Sequence, residues 1–231
     1  MQDSLKARHV KTLACDTALG ALSAAVLEDA RVLGHEFVEM SRGHAEALAP
    51  MVERVMRDAG VAFASLDRLA VTTGPGTFTG QRVGLAFMRA AALALKKPLI
   101  GVTTLEAMAI DALARVPSAW ALVVADAKRG EVYVGALSAS GIVLREATLV
   151  PAEAAVAVAV AIAREKGAPA LAGTASDMMR ESLRAHGIAA TASGVRQPDA
   201  VFVARLAMDK PMAAAPPKPL YLRAPDEKLP S

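Results

Sequence analysis

Three features of this chain have residue types and spacing that could do chemistry. One is a glycine-rich loop, Gly74-Pro75-Gly76-Thr77-Phe78-Thr79-Gly80; the others are two carboxylates, Asp16 and Asp126, each closing an apolar run. Leu69-Ala70-Val71 before the loop reads as a buried strand. Val83 to Leu95 after it reads as a helix with no breaker beyond Gly84, starting near Thr79 or Gln81. A strand, a glycine turn and a helix N-terminus together aim several backbone N–H groups at one point, where orphan donors and the helix dipole can hold an anion. The same glycines can instead simply let the helix pack tightly on the sheet. The residues alone leave both readings open.

The remaining polar candidates carry less. His44 opens a helix within Ser41-Arg42-Gly43-His44, but four histidines and no serine–histidine–carboxylate pattern leave no hydrolytic triad. A polar residue at a helix start explains it. Cys15, the one cysteine, lies in an apolar strand, so neither a disulfide framework nor a zinc cluster is expected and the thiol reads as inert.

These residues sit in a chain of 231 residues, long enough for one large domain or two small ones. It is 54% apolar, much of that alanine, 21% charged and only 3% aromatic, which gives little material for stacking nucleic-acid bases. The net charge of +3 is small and its basic residues are scattered; Arg180, Arg184 and Arg196 are the thin basis for direct RNA contact. Met1 to Val10 is a loose, mixed-charge leader without an apolar core, and the longest apolar run, Ala154 to Ala163, is too short for a membrane span. A soluble cytoplasmic protein is expected.

The elements that position the candidates follow from periodicity. Strands are predicted at Lys11 to Asp16, Ala21 to Leu27 and Val32 to Met40, an antiparallel meander. Leu48, Met51, Val52, Val55, Met56 and Ala59 then fall on one helical face, with Gly60 as the stop. A strand at Arg68 to Thr72, the glycine loop and its helix, a strand at Leu99 to Val102 and a helix at Leu105 to Leu113 complete the first half. Thr103 or Thr104 caps that last helix. The second half repeats the order. It has strands at Ala119 to Asp126, Glu131 to Ala139 and Ile142 to Leu149, and a helix from Pro151 at N1 to Lys166. A short strand at Ala170 to Ala172, a helix at Ser176 to His186, an edge strand at Ile188 to Ala192 and a helix capped by Asp199 follow.

Both halves read βββαβαβα, dividing the chain into a leader 1–10, lobes 11–114 and 118–210, and an extended, proline-limited tail 211–231. The element order implies an α/β protein of two duplicated ribonuclease-H-like/actin-like (ASKHA) lobes, a fold that binds nucleotide between its lobes and does not by itself give function. In such a fold Gly173-Thr174 lies where an adenosine-contacting turn would be, although a helix-entry turn explains one glycine equally well.

Several stretches resemble the bacterial TsaB (YeaZ) family. They are Cys15-Asp16-Thr17-Ala18, His44 in its tetrapeptide, the loop Gly74 to Gly80 with Gln81-Arg82-Val83-Gly84-Leu85, and Gly101-Val102-Thr103-Thr104-Leu105-Glu106-Ala107-Met108. Asp126 to Tyr133 and Tyr221-Leu222-Arg223 join them. The loop with Arg82 and Gly84 is the specific part. The resemblance implies a non-catalytic partner in making threonylcarbamoyladenosine next to the tRNA anticodon. Its catalytic paralogue, of the TsaD type, uses a metal held by two histidines four residues apart. Here Thr104 and Met108 stand at those positions, a weak neutral hydroxyl and a soft thioether, so no metal site is expected.

In active members of the fold, acids like Asp16 and Asp126 hold Mg²⁺ through water beside glycine-bearing phosphate hairpins. Thr17-Ala18 and Ala127-Lys128 follow them here, so a structural role is expected of both. Asp16, Asp126 and Gly173 are the only candidate nucleotide contacts; no intrinsic cofactor is expected, with ATP or ADP binding left for the complex interface. The resemblance further implies a homodimer when the chain is alone, a TsaD-type partner, a TsaE-type ATPase beside it, tRNA reached through the complex, and no membrane. The expected interface is Leu48, Met51, Val52, Val55 and Met56 of the first helix with Phe78, Val83 and Phe87 of the glycine-loop helix, Phe78 nearest the seam. That second helix is apolar on nearly every face, as a helix buried on more than one side must be. The competing reading is a stand-alone ATP-dependent enzyme, a small-molecule kinase or a glycoprotease-like metallopeptidase, resting on the two-lobe fold and Asp16 with Asp126.

Overall fold

The computed structural model describes residues 9–212 and 215–223. The first half runs β1 (Lys11–Asp16), β2 (Ala21–Glu28), β3 (Arg31–Glu39), α1 (His44–Asp58), a 3-10 turn (Phe63–Ser65), β4 (Arg68–Thr72), α2 (Phe78–Leu95), β5 (Leu99–Val102) and α3 (Thr104–Arg115). The second runs β6 (Trp120–Asp126), β7 (Glu131–Ser138), β8 (Val143–Pro151), α4 (Ala152–Lys166), β9 (Ala170–Ala172), α5 (Ser176–Ala185), β10 (Thr191–Ala192) and α6 (Ala200–Asp209). The sheets have the orders β3-β2-β1-β4-β5 and β8-β7-β6-β9-β10, the same path twice. In each, two antiparallel pairings build the meander and the later strands join in parallel. The duplicated α/β lobes expected from element order are present.

The side-chain period of two assigns each sheet two different layers. Leu13 and Cys15 of β1 face outward onto α1 and α2, within a cluster that includes Leu48, Met51, Val55, Leu85 and Met88. Ala14 faces the other way, onto α6. In the second sheet Trp120, Leu122 and Val124 face α4 and α5, while Ala121, Val123 and Ala125 face α3. Alanine on both inner faces leaves room for helices between the sheets, and close packing there is what the alanine-rich composition supplies. The two inner helices cross over. α3 closes the first half of the chain but packs on the second sheet; α6 closes the second half but packs on the first. Asp199 fixes the entry of α6, accepting from the Val201 amide at 2.8 Å and lying 3.0 Å from His35 Nε2 on β3, while the Ser23 hydroxyl accepts from the Ala200 amide at 2.9 Å.

Element ends differ from the sequence reading by small amounts with local causes. α2 begins at Phe78 rather than at Thr79 or Gln81, because Thr77 is its N-cap and its side chain accepts from the Gly80 amide at 3.0 Å. Thr103 is the cap of α3, in a reciprocal capping box with Glu106. Pro151 ends β8 and occupies the cap position of α4 instead of N1. The edge strand expected over Ile188 to Ala192 shrinks to Thr191–Ala192, the two residues that register with Ala170 and Leu171. The leader lies largely outside the described residues, as do 213–214 and 224–231 of the tail; residues 215–223 form no helix or strand.

Candidate functional site

The glycine loop connects β4 to α2 and is seated on the turn that follows β1. A side chain at Gly76 would put its Cβ 2.2 Å from the Ala18 carbonyl oxygen, and one at Gly80 would put it 2.2 Å from that of Thr17. Both contacts are with backbone, so only glycine fits. The loop's polar groups are engaged in the same seating. The Thr77 amide donates to the Ala18 carbonyl at 2.8 Å, and the Thr104 amide donates to the Gly74 carbonyl at 2.8 Å. Gln81 Nε2 donates to the Gly76 carbonyl at 3.0 Å. The Thr17 hydroxyl donates to the Gly80 carbonyl at 2.6 Å and accepts from the Gly84 amide at 3.0 Å. Of the two readings of the loop, the packing device is the one with these contacts behind it. Of the amides at the loop and the start of α2, those of Thr77 and Gly80 already have partners.

Asp16 closes β1 and is fully buried. One carboxylate oxygen accepts from the Thr72 hydroxyl at 2.5 Å and the Ala18 amide at 3.2 Å; the other is buried with no partner among the described residues. Burial pushes its pKa up to about 7, opposed by the Thr72 bond. This acid ties three connections of the fold, β1, the Thr17–Ala18 turn and β4. Burial likewise pushes the Cys15 thiol far up, which keeps it protonated and unreactive.

Asp126 ends the equivalent strand of the second sheet but is half-exposed. Its carboxylate accepts from the amide and the ammonium of Lys128, both at 2.8 Å, and those bonds hold its pKa below the usual range. Gly173 is committed to packing. Its Cβ would meet the Val124 carbonyl oxygen at 2.1 Å, and its amide donates to the Val195 carbonyl at 2.8 Å.

A cleft of about 480 Å³ lies between the loop and the second sheet. Phe78, Gln81, Asp126, Lys128, Tyr133, Tyr221 and Arg223 line it. Of the three candidate nucleotide contacts, it gathers Asp126 but neither Asp16 nor Gly173. Among the described residues no three His, Cys, Asp or Glu side chains come together as metal ligands. Thr104 is fully buried with an unpartnered hydroxyl and Met108 is fully buried in the inner core, so the two positions do not fit a divalent metal. Arg180, Arg184 and Arg196 are exposed and each pairs at the surface with Asp177 or Glu181.

The expected interface divides in two. Leu48, Met51, Val52, Val55 and Met56 are only 1–2% exposed and pack on the chain's own first sheet. They are core residues, not a docking surface, because the stripe that makes α1 amphipathic is the one that covers β2 and β3. On α2, Val83 and Phe87 are half-buried against that same core, whereas Phe78 is 43% exposed. The helix carries apolar or small side chains on most faces, with Arg82 and Arg89 exposed among them, yet only one side of it, with Gly80, Gln81, Gly84, Leu85 and Met88, is buried by this chain. Ala86, Ala90, Leu93 and Ala94 face outward, Leu93 81% exposed.

The sequence did not reveal what touches Phe78. Tyr221 of the tail lies against it, ring centroids 5.2 Å apart, and the Arg82 guanidinium sits 3.8 Å above the Phe78 ring while donating to the Tyr221 hydroxyl at 3.0 Å. A separation of 139 residues between Arg82 and Tyr221 leaves no local pattern to find.

Comparison with known proteins gives a consistent result. The family model described as TsaD: tRNA N6-adenosine threonylcarbamoyltransferase matches residues 38–205. The tRNA threonylcarbamoyladenosine biosynthesis protein TsaB of Escherichia coli (strain K12) is 37% identical over 124 residues, 54% of this chain and 53% of that protein. A tRNA N6-adenosine threonylcarbamoyltransferase of Erythrobacter litoralis is 51% identical over 71 residues, 31% of this chain and 21% of that protein. The match thus spans about half the length of the first of these relatives and about a fifth of the second. A solved Pseudomonas aeruginosa protein described as similar to peptidase YEAZ aligns with a TM-score of 0.74 at 26% identity, covering 93% of this chain and 100% of that one.

Proposed function

We propose a function from one premise: the chain belongs to the family described as TsaD: tRNA N6-adenosine threonylcarbamoyltransferase, whose model spans residues 38–205, and within it to the TsaB (YeaZ) type. On that premise the chain is an accessory, non-catalytic subunit. It docks on a TsaD-type catalytic paralogue and supports threonylcarbamoylation of the adenosine next to the tRNA anticodon.

The observation that carries this reading is the outer face of α2. An eighteen-residue helix with Phe78, Ala86, Ala90, Leu93 and Ala94 turned to solvent is more apolar than a surface helix without a partner requires. The buried Thr104 and Met108, where the resemblance implies paired histidines, support the non-catalytic half of the reading. The same reading gives the chain a homodimer when alone, a TsaE-type ATPase as a further partner, tRNA reached through the complex, and a cytoplasmic location. No helix of the described residues is long and apolar enough to cross a membrane.

Sedimentation velocity of the purified chain mixed with its cognate TsaD-type paralogue tests the proposal, followed by tRNA modification with and without the chain. A heterodimer at tens of micromolar and modification that depends on the chain are expected. Absence of any complex, with or without nucleotide, defeats the reading. Calorimetry with Mg·ATP addresses the stand-alone enzyme: turnover by the isolated chain, abolished by Asp16→Asn, favours that alternative.

A further inference from the structure

We propose that residues 215–223 are a strap that closes the cleft between the glycine loop and the second sheet, and that its two ends act together. Lifting either end frees the other and opens the cleft. The inference goes beyond the function proposed above and does not depend on it.

The first end is seated on the first half of the chain. Pro216, Pro217 and Pro219 have fixed φ and no N–H to satisfy, so the segment lies on the fold without a ladder of its own. Gly101 on β5 is the seat. A Cβ there would stand 2.6 Å from Pro217 Cβ and 2.7 Å from Thr73 Cγ2. The Leu220 amide donates to the Thr73 carbonyl at 2.7 Å, and the Arg89 guanidinium donates to the Pro217 carbonyl. Tyr221 then lies against Phe78, and its hydroxyl accepts from Arg82 at 3.0 Å.

Two residues later the strap is anchored on the second half. Arg223 donates to the Ala127 carbonyl at 2.8 Å and pairs with Glu131, gripping both sides of the turn between β6 and β7. Leu222 packs on the inner cluster that holds Ala127 and Tyr133. Tyr221, Leu222 and Arg223 together wall the cleft of about 480 Å³. Across that cleft the Tyr133 hydroxyl reaches the Gly76 carbonyl at 3.4 Å, a longer bond than those the strap makes.

The short span is what couples the ends. From Tyr221 to Arg223 the chain reaches at most about 7 Å, so it has little slack to absorb a shift at either side. Side-chain contacts hold the strap in place of a helix or a ladder, and such segments open at lower free energy than the core. The crossed packing of α3 and α6 keeps the two halves joined when the strap lifts, so opening does not require unfolding.

Amide hydrogen exchange of the full chain tests the strap. Leu220 reports the first end. At the second end Ala127, which donates to the Glu131 carbonyl at 3.0 Å, and Glu131, which donates to the Lys128 carbonyl at 3.1 Å, are the reporters. Met108, fully buried in α3, reports the core. Arg223→Ala is expected to speed exchange about tenfold or more at Leu220 as well as at Ala127 and Glu131. Gly101→Ala, which displaces Pro217 in the other half, is expected to speed the same three amides. Exchange at Met108 should stay unchanged in both variants. If each variant speeds exchange only at its own end, the ends are independent and the strap is overturned. It is equally overturned if Met108 accelerates in step with the other three, since the segment would then be an ordinary part of the global fold.

Discussion

The Thr17 hydroxyl bridges Gly80 and Gly84, donating to the carbonyl of one at 2.6 Å and accepting from the amide of the other at 3.0 Å. Those two groups are an i, i+4 pair of α2, so a side chain from the turn after β1 is keyed into the first turns of the helix that carries the docking surface. Thr17 is 1% exposed. Thr17→Val keeps the shape and removes the bridge, and is expected to cost about 1–3 kcal/mol. In a chain of this size that lowers the melting temperature by roughly 2–4 °C for each kcal/mol. Thr17→Ser should restore most of the loss, because the hydroxyl and not the methyl makes both bonds.

The glycines of the loop give a harsher test. At Gly80 a methyl would stand 2.2 Å from the Thr17 carbonyl oxygen and 2.6 Å from the Thr77 hydroxyl oxygen. Neither neighbour is the free end of a flexible side chain, so the loop must lift off the β1 turn. Gly80→Ala is expected to cost about 3 kcal/mol or more in a denaturant melt, despite the helix preference that favours alanine over glycine. By contrast Gly60→Ala meets no atom within 4 Å, and its cost comes from its positive φ of +63° alone, about 1 kcal/mol.

That contrast shows what the sequence could and could not reveal. The strand–loop–helix order around Gly74 to Gly80 was legible, since apolar runs and breakers are local signals, and so was the βββαβαβα order of both halves. The use made of the apolar stripes was not. Leu48, Met51, Val52, Val55 and Met56 form a regular amphipathic face, and periodicity alone cannot say whether such a face meets the chain's own sheet or a partner. The exchange of α3 and α6 between sheets, and the meeting of Tyr221 with Phe78, depend on contacts between residues far apart in the chain. Short-range pattern carries no trace of them.

Asp16 makes stability depend on pH in the direction opposite to an acid such as Asp126, whose pKa the fold lowers. Its pKa is about 7 in the fold and near 3.8 when unfolded, so the native state binds the extra proton between those values. Stability is expected to fall as pH rises from about 4 through about 7, by up to about 4 kcal/mol, as the buried carboxyl is forced to ionise. Asp16→Asn should remove this slope and melt higher than the unaltered chain at pH 8. The slope that remains has the same sign and comes from His35, whose pairing with Asp199 raises its pKa and is lost as pH increases past that value, and from Asp111, whose pKa burial also raises. Denaturant melts at pH 5 and pH 8 measure it; equal slopes in the two chains would refute the assignment.

Docking and folding should separate cleanly between the two helices. Leu48 is 1% exposed in the core under α1, and Leu48→Ala is expected to cost about 2–5 kcal/mol of stability through lost burial and a cavity. Any loss of association in that variant should track the fraction unfolded and vanish at low temperature. Phe78 stands at the other end of the scale. It is 43% exposed, and what it touches, Arg82 and Tyr221, is itself at the surface. Phe78→Ala should therefore change the melt by about 1 kcal/mol or less while weakening paralogue binding by about tenfold. Measuring both variants by denaturant melt and by titration with the TsaD-type paralogue decides the matter. Equal losses of folding and association in Phe78→Ala would return Phe78 to the core and leave α2 without its proposed docking centre.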